Sequence, residues 1–221
     1  MSNQNCKRPD LSTYLIHLTK AEDDEKAFQN LKSIIRNRTL LQSSYQIGGR
    51  HVVCLTETPV GCIKTAGGLK NYTNFTYYKC FGLMVYKKDV YEQGGRPVLY
   101  LEDKYLSQLP PEIQWRHQKF EPSFTDVKHD WTWEREWRIV GGFHLSGLYY
   151  EAIVPSLSYA KRLIDDLNTE QVQLYEDCTN SKIETMNYND FCDPEYEQYI
   201  QDPCPPPDEF DKAIICLDGT C

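Results

Sequence analysis

Trp131-Thr132-Trp133-Glu134-Arg135-Glu136-Trp137-Arg138-Ile139 is the stretch on which the reading of this chain turns. It is rich in aromatic and branched residues and runs into Val140 before Gly141-Gly142, so it reads as a β-strand from Glu134 to Val140. Alternate residues of a strand share a face. Glu134, Glu136 and Arg138 therefore point one way, and Arg135, Trp137 and Ile139 the other. Two carboxylates on one face repel when both are ionised. A flanking Arg, a bound cation or a polarised hydroxyl would relieve them. A solvated ladder of Glu and Arg on a strand surface is the bland alternative.

The rest of the chain supplies elements that fit around this strand. Tyr14 to Thr19 reads as a short strand, and a helix follows from about Asp24 to Arg38. Its Ala27, Phe28, Leu31, Ile34 and Ile35 recur at three- and four-residue spacing, with Asp23 or Asp24 as N-cap. Gly48-Gly49 marks a turn before a strand at His51 to Thr56, and Pro59 ends that segment. Cys80 to Tyr86 is another strand. A short helix or turn over Lys87 to Gln93 stops at Gly94-Gly95, and Pro97 to Leu101 is again extended. Residues 102–122 contain Pro110-Pro111 and read as a helix-poor excursion. Tyr149 to Val154 is a strand, Pro155-Ser156 introduces a helix from Leu157 to Leu167, and Ala213 to Leu217 makes a last strand. Many strands with two convincing helices predict an α+β fold rather than a βαβ parallel sheet. After about Tyr175 the chain turns acidic and rich in Tyr, Cys and Pro. The expected organisation is a domain over residues 1–175 and an appendage over 176–221.

Composition narrows the function classes. The net charge of −8 argues against a broad basic surface of the kind that grips duplex DNA nonspecifically. No apolar run reaches the roughly 18 residues of a membrane span, and Met1 to Cys6 is polar, without the apolar core of a signal peptide. A cytoplasmic protein with no membrane partner is expected. The 9 cysteines include no Cys-x-x-Cys pair. Reduced thiols are expected rather than a disulfide framework or a compact zinc site, with Cys54 and Cys80 packed as small hydrophobes.

Two further segments complete a constellation. His17 and Thr19 lie in the first strand, just before the helix. Tyr72-Thr-Asn-Phe-Thr-Tyr-Tyr78 precedes the Cys80 to Tyr86 strand, and its rings could stack on a flat heterocycle. Taken together, the three segments resemble the ADP-ribosyltransferase fold on its diphtheria-toxin and poly-ADP-ribose polymerase side. Ile16-His17-Leu18-Thr19 looks like that family's first motif and Gly48-Gly49-Arg50-His51-Val52-Val53-Cys54-Leu55 like its second. Thr73 to Tyr78 leads into Phe81-Gly82-Leu83-Met84-Val85 much as the family's Tyr segment leads into its strand. Glu136-Trp137-Arg138-Ile139-Val140 looks like the strand that carries the catalytic Glu. Leu18 stands where the family usually has Gly, and Val53 and Cys54 where the polymerase pattern has Tyr. Over residues 12–165 the chain is also similar to AbiGi-like abortive-infection proteins of bacterial phage defence, and by fold analogy distantly to DarT toxins.

The resemblance implies a split, mostly antiparallel sheet with few helices, and NAD as substrate. Glu136 would stabilise an oxocarbenium-like sugar and hold its 2′-hydroxyl. Glu134 would orient the acceptor or act as base toward it. His17 and Thr19 would hold the adenosine-side ribose, Tyr77 or Tyr78 would stack on nicotinamide, and Arg50 or Arg96 would meet the pyrophosphate. His17 and Glu136 would then face one cleft, and no metal is required. The acceptor is a nucleic acid or a protein. The alternative is a non-catalytic relative that senses a nucleotide or binds a cognate toxin as an antitoxin. A metal-dependent nuclease using Glu134 and Glu136 ranks last, because no Asp…Glu-x-Lys arrangement accompanies them.

Overall fold

The computed structural model describes residues 11–44, 46–60, 78–121, 131–188 and 214–217. The chain divides into two compact units, Met1–Leu157 with Lys212–Cys221, and Ser158–Asp211. In the first, seven strands follow one another across a sheet. They are β12 (Ile214–Cys216), β11 (Tyr150–Val154), β5 (Tyr78–Tyr86), β1 (Tyr14–Lys20), β4 (Arg50–Thr56), β9 (Glu136–Val140) and β6 (Arg96–Pro97). An eighth strand, β3 (Gln46–Ile47), pairs with β4 off this path. Every pairing is antiparallel except that of β11 with β12. The fold is α+β, with a mixed, mostly antiparallel sheet and few helices.

Helix α1 (Asp24–Asn37) forms where its apolar spacing predicts. Asp23 caps it by accepting from the Lys26 N–H at 2.7 Å, and Asp24 and Glu25 sit at the positive end of its dipole. Ala27, Phe28, Leu31 and Ile35 are buried, and Phe28 meets Phe81 of β5 edge-on. This fixes α1 on the sheet face that carries Leu15, Phe81, Leu83 and Val85, all buried. The opposite face has its own apolar cluster of Ile16, Leu18, Met84, Ile153 and Leu217. Gly82 lets β5 and β1 meet between the two layers, since a Cβ there would lie 1.9 Å from the His17 carbonyl oxygen. Gly48 and Gly49 both take positive φ and close the two-residue turn between Ile47 and Arg50.

Beyond β5, helix α2 (Lys87–Glu92) is a short turn that delivers the chain to β6. The excursion expected over residues 102–122 contains 3₁₀ turns at Asp103–Gln108 and Pro111–Arg116. Around them β7 (Leu99–Leu101) pairs in parallel with β8 (His117–Lys119). Two further strands, β2 (Thr39–Leu40) and β10 (Phe143–His144), pair with each other. Helix α3 (Leu157–Tyr188), which lies in the second unit from Ser158 on, runs well past the Leu167 end expected from its apolar stripe, and residue 175 lies inside it. Among the described residues no helix is long and apolar enough to cross a membrane.

Candidate active site

The strand expected from Glu134 begins only at Glu136. Residues Thr132–Glu134 form a 3₁₀ turn, closed by Arg135 in the left-handed conformation at φ 48° and ψ 50°. A non-Gly residue there is uncommon and is held by its surroundings. The surroundings here are the end of β4. The Glu57 N–H donates to the Arg135 carbonyl at 3.3 Å. The Thr56 hydroxyl donates to the Glu134 carbonyl, and the Thr58 hydroxyl to the Trp133 carbonyl at 2.8 Å. Glu57 is itself tied down, by Lys87 at 2.8 Å and by the Trp137 indole N–H at 2.9 Å. Glu134 and Glu136 still line one small cavity with Ile16, Leu18, Cys54, Leu55, Thr56 and Tyr78. They share it through the Arg135 kink rather than through strand alternation.

The two carboxylates are treated differently. Arg138 donates to Glu136 through Nε (2.7 Å) and Nη2 (2.9 Å), a bidentate pair. Its remaining N–H groups go to the Trp115 and His117 carbonyls, at 2.9 and 2.7 Å, and to Gln118 Oε1 at 2.5 Å. All five guanidinium donors are thus used, as a side chain only 3% exposed requires. Burial pulls the Arg138 pKa down, but the Glu136 carboxylate outweighs it and the net direction is up. Glu134 has no such partner among the described residues. Burial, then the negative charge of Glu136, push its carboxyl up to about 7, against the pull of Lys20 and Arg138.

Three neighbours complete the site. The Tyr100 hydroxyl accepts from the Glu136 backbone N–H at 2.9 Å, and burial raises its pKa to about 12. The Cys54 thiol is pushed up to about 12 by burial and by Glu136, so it stays protonated and is no nucleophile. Lys20 lies over the Tyr78 ring, 4.6 Å from its centroid. The cavity itself is about 10 Å³, room for the centre of one water. Tyr78 also lines a wider groove of about 930 Å³ with Lys20, Asp23, Asp24, Lys26 and Asn30.

Of the residues expected at the site, the structure joins Glu134, Glu136 and Tyr78 and separates the others. Met84, Ile16, Thr56 and Glu136 are successive partners across β5, β1, β4 and β9, so they share one face. His17 is next to Ile16 and pairs with Leu83, which puts it on the α1 face. The expectation that His17 and Glu136 face one cleft is therefore corrected. The imidazole Nδ1 donates to the Cys54 carbonyl at 2.9 Å, and burial lowers its pKa. Thr19 is buried, and its hydroxyl has no hydrogen-bond partner among the described residues. Arg50 opens β4, six residues before Thr56, which at strand rise is roughly 20 Å from the Glu136 row. Arg96 pairs in register with Arg138, but its Nη1 donates to the Tyr91 and Gly95 carbonyls. Tyr77 lies outside the described residues. Tyr100 and Lys20 were not anticipated. Tyr100 is 36 residues from Glu136, and no local pattern announces a contact of that span.

Among the described residues no group of three His, Cys, Asp or Glu could hold a metal ion. No protein-family model, curated protein or solved structure matches the chain.

Proposed function

We propose that this site transfers ADP-ribose from NAD to a nucleic-acid or protein acceptor, with Glu134 as the base, in the phage-defence setting that the sequence resemblance implies. The observation that carries the reading is the split between two adjacent carboxyls. Glu136 is fixed by Arg138, while Glu134 is pushed up to about 7. A raised carboxyl beside one that an Arg holds in place divides acid–base and electrostatic roles between the two. In the transfer, the bond between the ribose C1′ and the nicotinamide nitrogen breaks, and its electron pair leaves with nicotinamide. An acceptor oxygen or nitrogen bonds to C1′ and gives its proton to the Glu134 carboxylate. The sugar carbon gains positive charge on the way, and Glu136 offers it a fixed negative charge, tempered by Arg138. The small cavity takes a water or a proton-bearing atom, not a pyridine ring. Nicotinamide would lie in the wider groove against Tyr78.

A second reading is favoured by one observation. His17 faces α1, and Arg50 stands far along β4, so two of the groups expected to hold NAD are kept from Glu136, one by face and the other by distance. A non-catalytic protein that binds a cognate toxin fits that separation. Calorimetric titration with NAD, with turnover of labelled NAD in the presence of DNA, RNA or protein, decides between them. The transferase reading expects Glu134→Gln to lower transfer by on the order of 10²-fold with little change in NAD affinity. Wild-type protein that neither binds nor cleaves NAD would leave the partner-binding reading in its place.

A further inference from the structure

Three tyrosines stand side by side across the ends of three neighbouring strands. Tyr14 opens β1, Tyr86 closes β5 and is its partner in register, and Tyr149 lies one residue ahead of β11, which pairs with the other edge of β5. Tyr14 packs against the apolar cluster on the face away from α1. The Tyr14 and Tyr86 rings stack with centroids 4.8 Å apart, and the Tyr149 ring tilts by 41° against Tyr86 at 5.8 Å. The row ends in the open, with Tyr86 38% and Tyr149 45% exposed. The Tyr149 hydroxyl donates to the Glu151 carboxylate at 2.9 Å, which fixes a negative charge beside the outermost ring. Three other tyrosine rings that solvent reaches carry a cation from the chain itself. Lys20 lies 4.6 Å from the Tyr78 centroid, Arg96 3.9 Å from that of Tyr91, and Lys104 5.0 Å from that of Tyr105. Among the described residues no Lys or Arg lies over Tyr14, Tyr86 or Tyr149, and none forms an ion pair with Glu151.

We infer that Tyr149 and Glu151, backed by Tyr86 and Tyr14, form a docking site for an arginine side chain of a partner protein. The face of a tyrosine ring attracts a cation. A guanidinium also stacks flat on such a ring while its fork of N–H groups pairs with a carboxylate. Arg96 on Tyr91 is this chain's own instance of the stack. The contacts within the row and the Tyr149–Glu151 hydrogen bond hold ring and carboxylate in place before the partner arrives, which lowers the entropy lost on binding. The net charge of −8 draws a basic partner surface toward the chain. The inference is independent of ADP-ribose transfer, because none of the four residues lines the Glu134 cavity.

NMR titration of the full chain, with tyrosine ring signals assigned, tests it. The probe is the end-capped peptide Gly-Ser-Arg-Ser-Gly, compared with the same peptide carrying Lys or Gln in place of Arg. Saturable shifts centred on the Tyr149 and Tyr86 rings are expected, strongest for Arg, weaker for Lys and absent for Gln. Tyr149→Leu should weaken binding of the Arg peptide by about three- to fivefold, the worth of one exposed cation–ring contact. Glu151→Gln should weaken it by a similar factor at low salt and by less at physiological salt, as a screened charge pair does. Both positions are at the surface, and thermal melts identify a variant that has lost the fold, in which case the other carries the comparison. Wild-type protein whose tyrosine row does not respond overturns the inference, as do shifts spread over the acidic surface instead of the row. So does an equal response to the Gln peptide, or wild-type affinity retained by the folded variants.

Discussion

The two faces of the central sheet are built from alternate residues of the same strands, yet they do opposite work. Toward α1, β1 presents Leu15 and His17, and the face is closed by Phe28 and Phe81 in edge-on contact. Toward the other side the same strand presents Ile16 and Leu18, and these border a cavity that holds two carboxyls. His17 is neutralised by burial and spends its Nδ1 hydrogen on a backbone carbonyl, as a structural histidine does. Glu134 is half-buried, forms no ion pair among the described residues, and has its carboxyl pushed up to about 7, a perturbation of the kind reactive carboxyls show. One peptide unit of alternation divides a packing residue from a chemical neighbourhood. Residue type alone does not tell which side a strand residue will take.

The largest effect is expected at Arg138. Arg138→Leu leaves the Glu136 carboxylate without its partner and strands the Trp115 and His117 carbonyls. Removing one member of a buried pair costs about 3–5 kcal/mol. Denaturant unfolding should register a loss of that size, and the Glu134 pocket should disappear with it. Next in size is Gly82, at the seam both faces share. A Cβ there meets the His17 carbonyl oxygen at 1.9 Å. Gly82→Ala is expected to cost about 3 kcal/mol by the same measurement, because β5 and β1 must part to admit it.

Two smaller effects depend on pH. The folded pKa of Glu134 is raised, so its contribution is most favourable below the ordinary value of 4.5. That contribution falls as pH rises toward about 7 and is constant above. Such a rise corresponds to about 3 kcal/mol, reduced to ~2 kcal/mol by the solvent that still reaches the side chain. Glu134→Gln should therefore be more stable than wild type at pH 8 and not at pH 4, by denaturant midpoints at each pH. His17 has the opposite sign. Its folded pKa is lowered, so stability is lost as pH falls below the unfolded value of 6.5. His17→Leu should remove that acid-side loss, and it should leave transfer from NAD unchanged if alternation has placed the ring as described.

The sequence was most legible where period and punctuation coincide. The stripe of Ala27, Phe28, Leu31 and Ile35 with Asp23 ahead of it specifies α1. Gly48-Gly49 specifies where β4 begins. Short strands such as β2, β3 and β10 were invisible, because two residues carry no period. The α3 boundary failed for a related reason, since the helix continues beyond its apolar stripe. At the site, Glu134, Glu136 and Arg138 were found together on a premise of unbroken strand that Arg135 does not obey. Their grouping survives because Thr56, Glu57 and Thr58 hold the kink from a strand far away in sequence. His17 was misplaced because register, which decides face, is a property of pairs of strands.

The central claim is that the Glu134 carboxyl is pushed up to about 7 by partial burial and by the negative charge of Glu136. Carbon-detected NMR of side-chain carboxyls, with Glu134 assigned by its absence in Glu134→Gln, measures this directly. A midpoint of about 7 is expected in wild type, falling in Glu136→Gln as the neighbouring negative charge is removed. A wild-type midpoint in the ordinary carboxylate range, or one indifferent to Glu136→Gln, would contradict the account.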